Sequence, residues 1–294
     1  MPELWTKDKE IEFFEQALEN FATPEKLFYI SDDGKYYAYW PKFYKGKKST
    51  LQSRNTLIGS FTEKYSVDLL NDFVRNTNLN TNLYVVQGVI CNEIGLTRQS
   101  PADVAICKTR RKEQHAEDIV VIFEVKMSIV WNWEYINGNL ICMGDYKTHR
   151  GNPGLLRSDS MLKAIGKSIN VRVSSHKASR IPIIILGNTP ITESYFHKVD
   201  HLKTAGIIQG FWSINPQPLD NNQENIKKTI EKGFVRYDSL QELYTELNGL
   251  MTREMEFFSS MISKKELGKI IEIASKENNY MQKAEKFLKL IKEV

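Results

Sequence analysis

The run Ile119-Val-Val-Ile-Phe-Glu-Val-Lys-Met127 constrains this chain more than any other segment. Its β-branched and aromatic residues fit an extended strand. Alternate strand residues share a face, so Glu124 and Lys126 lie side by side, in line with Val120 and Ile122. A carboxylate and an ammonium near the end of an otherwise buried strand are costly unless they are paired or hold a metal. The sheet must therefore bring partners to the charged end of this strand.

The preceding segment supplies one. Pro101-Ala-Asp-Val-Ala-Ile-Cys107 reads as a strand, and the charged turn over 108–118 lets the two strands pair as an antiparallel hairpin. Asp103, at the start of one, then lies near Glu124, at the end of the other. Two acids and a lysine converge. That constellation fits metal-assisted phosphodiester hydrolysis. Mg²⁺ takes hard oxygen ligands and keeps several waters; it polarises the phosphate and helps generate hydroxide. Lys126 is placed to orient the attacking water and stabilise charge developing at phosphorus. The same residues also read as a buried acid–lysine ion pair, because an E-x-K tripeptide arises readily by chance. The acid opening the neighbouring strand weighs towards the nuclease.

Pro101-Ala-Asp103 with Glu124-Val-Lys126 resembles the motif of the PD-(D/E)XK nuclease superfamily, whose best-known members are restriction endonucleases. The likeness takes in the surrounding element order over residues 55–212. It implies a restriction-endonuclease-like core, α-β-β-β-α-β, with Asp103 and Glu124 as metal ligands and Lys126 as the catalytic lysine. Val125, between them, is a further candidate ligand. Ala102 separates the proline from the aspartate here, a departure in geometry rather than chemistry. Many members place another acid on the helix before the sheet. Glu63 shares a helix face with Val67, Leu70 and Val74, opposite a polar stripe of Lys64, Asp68, Asp72 and Arg75. It is expected to face the sheet and bind a second metal or a metal-bound water; an acid near a helix start is also favourable on its own.

Net charge is +4, but its distribution says more. Residues 41–60 hold Lys42, Lys45, Lys47, Lys48 and Arg54 and no acid; residues 143–180 hold eight Lys/Arg against Asp145 and Asp159. These stretches contribute +5 and +6, so the rest totals −7. Concentrated positive charge on an otherwise acidic chain suits a polyanion such as DNA, or two solvated loops. On a helix over 155–173, Leu162, Ile165, Ile169 and Val173 make the apolar face, with Lys163, Lys167 and Asn170 on another. Expected DNA contacts are Lys47, Lys48, Arg54, Lys147, Lys163 and Lys167 on phosphates, and Arg150, Asn152 or Arg157 at base edges. Trp131, Trp133 and Tyr135 alternate beyond the catalytic strand and read as an edge-strand face rather than a base-stacking platform.

Further elements complete an α/β layer with a mixed sheet flanked by helices. A helix is expected over 9–21 and another over 56–75; strands over 36–44, 83–91, 102–107, 119–130, 181–186 and 207–214; a loop over 215–225; and helices from 239 onwards. The organisation expected is an N-terminal elaboration over 1–54, a nuclease core over 55–214 and a C-terminal helical region over 215–294 packed on the core. The three cysteines lack metal-ligand spacing, the longest apolar runs fall far short of the roughly 18 residues of a membrane span, and the first ten residues carry no apolar signal core. A cytoplasmic protein with reduced thiols is expected.

There is no phosphate-binding G-x-x-x-x-G-K-[ST] loop, no G-x-G-x-x-G turn, no G-x-S-x-G elbow and no H-E-x-x-H pair. No nucleotide cofactor is expected. With no helicase, ATPase or methyltransferase motif, the expectation is a stand-alone, Mg²⁺-dependent type II restriction endonuclease acting on double-stranded DNA as a homodimer, since a palindromic site offers two equivalent half-sites. The alternatives are a structure-selective repair or recombination nuclease, and a non-catalytic DNA-binding protein in which Asp103, Glu124 and Lys126 form a structural cluster.

Overall fold

The computed structural model describes residues 3–42, 44–46, 51–77, 82–219, 225–258 and 262–293. Its contacts divide the chain into two compact units, Met1–Glu254 and Met255–Val294.

The first unit begins with α1 (Lys7–Asn20), α2 (Pro24–Leu27), β1 (Tyr29–Ile30), β2 (Tyr36–Tyr37) and α3 (Gln52–Asn76). Then come β3 (Tyr84–Val89), β4 (Ala102–Cys107), β5 (Ile119–Lys126), β6 (Asn132–Ile136) and β7 (Asn139–Gly144). It continues with α4 (Ser158–Ser174), β8 (Ile183–Gly187), α5 (Phe196–Thr204), β9 (Gly210–Ser213), β10 (Phe234–Arg236) and α6 (Leu240–Thr252). The larger sheet has the order β10-β9-β8-β5-β4-β3. Strands β3, β4 and β5 run antiparallel, whereas β8, β9 and β10 run parallel to β5. The fold is α/β, a mixed sheet flanked by helices. All five residues of β8 and all four of β9 are buried, as expected for inner parallel strands covered on both faces.

Register fixes the faces. Val86, Ala105, Ile122 and Ile183 lie opposite one another across four strands. They share a core with Met161, Ala164 and Val171 of α4. One step along, on the same face, the pairing brings Asp103 opposite Glu124, and Glu124 beside Ile185. The other face carries Val104 and Phe123 and is covered by α3, whose Ser66 hydroxyl reaches the Met127 sulfur at 3.9 Å. Helix α3 buries Ile58, Thr62, Ser66, Leu69 and Phe73, a 3.6-residue stripe.

The smaller sheet, β1-β2-β6-β7, is wholly antiparallel. Strand β6 lies inside it, and Trp131 and Trp133 are buried, so the expected edge-strand face is an interior one. The β6–β7 turn uses Asn137 and Gly138, both at positive φ, the two-residue geometry that matches strand twist.

The first unit also runs past the boundary expected at 214/215. Strand β10 hydrogen-bonds to β9, and buried Asp200 of α5 accepts from the backbone of Glu231 and Gly233 at 3.2 and 2.8 Å. Tyr244 of α6 donates to Asp72 of α3 at 2.8 Å. The second unit holds α7 (Lys264–Ser275) and α8 (Tyr280–Glu293). Ser263 and Glu266 form a reciprocal capping box that starts α7, and Phe258 packs edge-on against Phe287.

Candidate active site

Asp103 is the second residue of β4, and Glu124 and Lys126 lie at the end of β5, so the antiparallel register brings them together. Asp103 is held by backbone: the Val125 amide donates to its Oδ2 at 2.8 Å. Lys126 Nζ lies 2.7 Å from Glu124 Oε1 and 3.3 Å from Asp103 Oδ2. It also donates to the Val125 carbonyl at 3.1 Å, which sets that carbonyl on the rim of the cluster. Glu124 is only 5% exposed. Burial drives its carboxyl upwards, Asp103 beside it pushes the same way, and the two neighbouring lysines offset part of the rise. Burial opposes the charge on Lys126, but the two carboxylates outweigh it and hold the ammonium above its ordinary value.

A fourth side chain joins them. Lys167 of α4 places Nζ 2.5 Å from Glu124 Oε2 and 3.3 Å from Asp103 Oδ1. Each lysine therefore bridges both acids, and all four carboxylate oxygens face an ammonium. Lys167 was expected on an outward, DNA-facing side of its helix. The helix is rotated from that expectation: its core residues are Met161, Ala164, Ser168 and Val171, while Leu162 and Val173 are 61% and 74% exposed. The small Ala164 and Ser168 let the helix approach the sheet, and Lys167, three residues after Ala164 and four before Val171, is carried inward with them. That spacing is the signal by which the sequence could have identified it.

The helix is fastened at both ends. The Leu155 amide donates to Thr189 Oγ1 at 2.8 Å, just after β8. Gly154 sits at φ +52°, and a β-carbon there would come within 2.9 Å of that hydroxyl and 3.2 Å of the Lys126 carbonyl. At the far end, buried Arg172 donates to the Ala178 and Ile207 carbonyls and to Gln209. No family model matches the chain, and neither does any curated protein or solved structure.

Other expected site residues lie elsewhere. Glu63 is half-buried on α3, where its carboxylate accepts from Gln87 at 2.8 Å. Gln87 pairs with Val104, on the face of the sheet opposite the Asp103 and Glu124 side chains, so Glu63 is not brought into the cluster. Among the described residues, no group of three or more His, Cys, Asp or Glu is spaced to hold a metal. The acids that converge are two.

Arg54, expected to touch DNA, is buried instead. Its guanidinium donates to the Leu27 and Ala38 carbonyls and lies 5.2 Å from both the Tyr29 and Tyr39 rings. Counting charge along the chain cannot separate such inward cations from surface ones. Lys147, Arg150 and Asn152 are exposed, with Arg150 Nε on the Lys42 carbonyl at 2.8 Å. Arg157 and Lys163, 60% and 72% exposed, share Asp159. Lys47 and Lys48 lie outside the described residues.

One buried group lies outside the expected site residues. Glu10 of α1 is fully buried and accepts four N–H groups: the Trp5 and Trp133 indoles at 3.2 and 2.8 Å, and the Val130 and Trp131 amides at 2.5 and 3.2 Å. It ties α1 to the segment that leaves the end of β5.

Proposed function

We propose that the chain is a Mg²⁺-dependent type II restriction endonuclease with a restriction-endonuclease-like core, hydrolysing phosphodiester bonds in double-stranded DNA at a short specific sequence. One arrangement carries this reading: two carboxylates side by side at the ends of neighbouring strands, with Lys126 bridging them. The donor set fits the metal, because its oxygens are hard and the site already holds cations against both acids. Asp103 and Glu124, with the Val125 carbonyl, would hold Mg²⁺, which when bound supplies Lewis-acid polarisation of the scissile phosphate. The Val125 amide fixes Asp103 for that role. Lys126, anchored by its own strand, orients the attacking water and stabilises charge developing on the phosphoryl oxygens. The enzyme acts as a homodimer on a palindromic site, in the cytoplasm, where its three unbridged cysteines stay reduced.

Lys126→Ala tests the chemistry apart from binding. It is expected to keep specific duplex binding within a few-fold and to lose at least about 10²-fold in single-turnover cleavage, because its role lies in the transition state. Parallel loss of binding and cleavage would make Lys126 a structural element of the fold; duplex binding without any cleavage in the wild type supports a second reading, a non-catalytic DNA-binding protein in which the acids and lysines are a structural cluster. The full engagement of all four carboxylate oxygens favours that second reading.

The exposed cations give a separate expectation. Lys147→Ala and Lys163→Ala each weaken binding to cognate and scrambled duplexes alike and lower the salt slope by about one unit. Fluorescence anisotropy over a KCl series measures both; unchanged slopes in both variants would place the DNA path elsewhere.

A further inference from the structure

Lys126 and Lys167 grip the two acids from complementary edges. Lys126 takes Asp103 Oδ2 and Glu124 Oε1; Lys167 takes Asp103 Oδ1 and Glu124 Oε2. The two edges are not equivalent. The Oδ2 edge is tied to the strand by the Val125 amide, and Lys126 is tied there by the Val125 carbonyl. Among the described residues the Oδ1/Oε2 edge has no such backbone tie, and its ammonium reaches in from a helix on a flexible four-carbon stem. Two carboxylates and two ammoniums sum to zero charge. A divalent cation entering this site with both lysines in place would leave an excess of +2 in a largely buried cluster, which is costly.

We infer that Lys167 is a resident counterion for the metal edge of the site, leaving Asp103 Oδ1 and Glu124 Oε2 when a divalent cation binds there. This inference rests on the metallonuclease reading and adds a positioning residue to it. Without DNA, the ammonium keeps the acids paired and holds metal affinity down. When a duplex is present, its phosphates supply the negative charge that lets cation and displaced ammonium coexist, so metal and DNA bind with positive coupling.

Calorimetric titration with Mn²⁺, without DNA, tests it. Lys167→Met should bind Mn²⁺ at least roughly tenfold more tightly than the wild type, the scale of removing one competing charge from a carboxylate pair. Lys167→Arg, which keeps the charge, should stay near the wild type, and Glu124→Gln added to Lys167→Met should abolish the gain. Lysine reactivity in the unaltered protein provides a reading that needs no variant. Reductive methylation followed by mass spectrometry should find Lys167 protected without metal and more reactive with Mn²⁺. Measurable Mn²⁺ affinity that is equal in wild type and Lys167→Met, or Lys167 reactivity unmoved at saturating Mn²⁺, overturns the counterion role alone. Absence of Glu124-dependent Mn²⁺ binding in every form overturns the metallonuclease reading along with it.

Discussion

On the proposed reading, Asp103→Ala and Glu124→Ala are each expected to reduce DNA cleavage at saturating Mg²⁺ by at least about 10³-fold, the scale on which removing a charge-stabilising element acts, while the protein stays folded. Each substitution removes one of the two converging carboxylates, and a hard cation held by a single acid is neither tightly bound nor fixed against the phosphate. The consequences for the fold differ between the two. Glu124 is almost fully buried between two ammoniums, so Glu124→Ala strands two cations against Asp103 alone. Asp103 is more open, and its loss also leaves the Val125 amide without that acceptor. Asp103→Asn preserves shape and is the cleaner control. Single-turnover cleavage with circular dichroism on the same samples separates lost chemistry from lost structure. A folded variant of either kind with near-wild-type cleavage would remove its acid from the site.

Glu10→Ala destabilises the protein by on the order of 5 kcal/mol, measured by urea unfolding at pH 5, because four buried N–H groups lose their acceptor and each such loss costs about 1–3 kcal/mol. The pH dependence has a definite sign. Burial is the largest influence on this carboxyl and raises it from 4.5 to about 7, against the pull of its four donors. The folded state therefore binds a proton that the unfolded state releases between those values. Stability from this group is full below pH 4.5 and is lost as pH rises through 7, by up to about 3 kcal/mol. The gap between wild type and Glu10→Ala should accordingly narrow from pH 5 to pH 8. A gap that stays constant over that range would mean that the four donors hold Glu10 ionised throughout. Because Glu10 grips the residues that follow β5, its loss is also expected to loosen Lys126.

The centre of the sheet was legible because strand chemistry is local. Eight residues from Ile119 to Lys126, with an acid opening the strand before, were enough to place Asp103, Glu124 and Lys126 together. The buried face of α4 departs from its apolar stripe for an equally physical reason. Leu162, Ile169 and Val173 of the apolar stripe are exposed and Ile165 is half-buried against the core, while Met161, Ala164, Ser168 and Val171 face the sheet, the small Ala164 and Ser168 permitting close approach. Apolar periodicity reports size and hydrophobicity, not fit. Turning the helix brings Lys167 into the acid cluster, which its spacing from Ala164 and Val171 signals and apolar periodicity does not.

Arg54 and Arg172 illustrate the matching limit of charge counting. Both sit in basic stretches, and both are buried donors to backbone carbonyls. Whether a cation faces inward depends on carbonyls supplied by distant segments. The β6–β7 hairpin, by contrast, carries a local signal in Asn137-Gly138. Glu10 had no such signal, since its donors come from residues more than a hundred positions away as well as from Trp5.

The claim that this cluster cuts DNA is tested most directly by incubating the full chain with intact bacteriophage double-stranded DNA, with and without Mg²⁺, beside the Asp103→Asn variant, and resolving the products on a gel. The account predicts discrete fragments that require both Mg²⁺ and Asp103, with ends that sequence to one short motif. Uncut DNA at all Mg²⁺ concentrations, with binding retained, would contradict it and leave the two acids and two lysines as a structural ion-pair cluster.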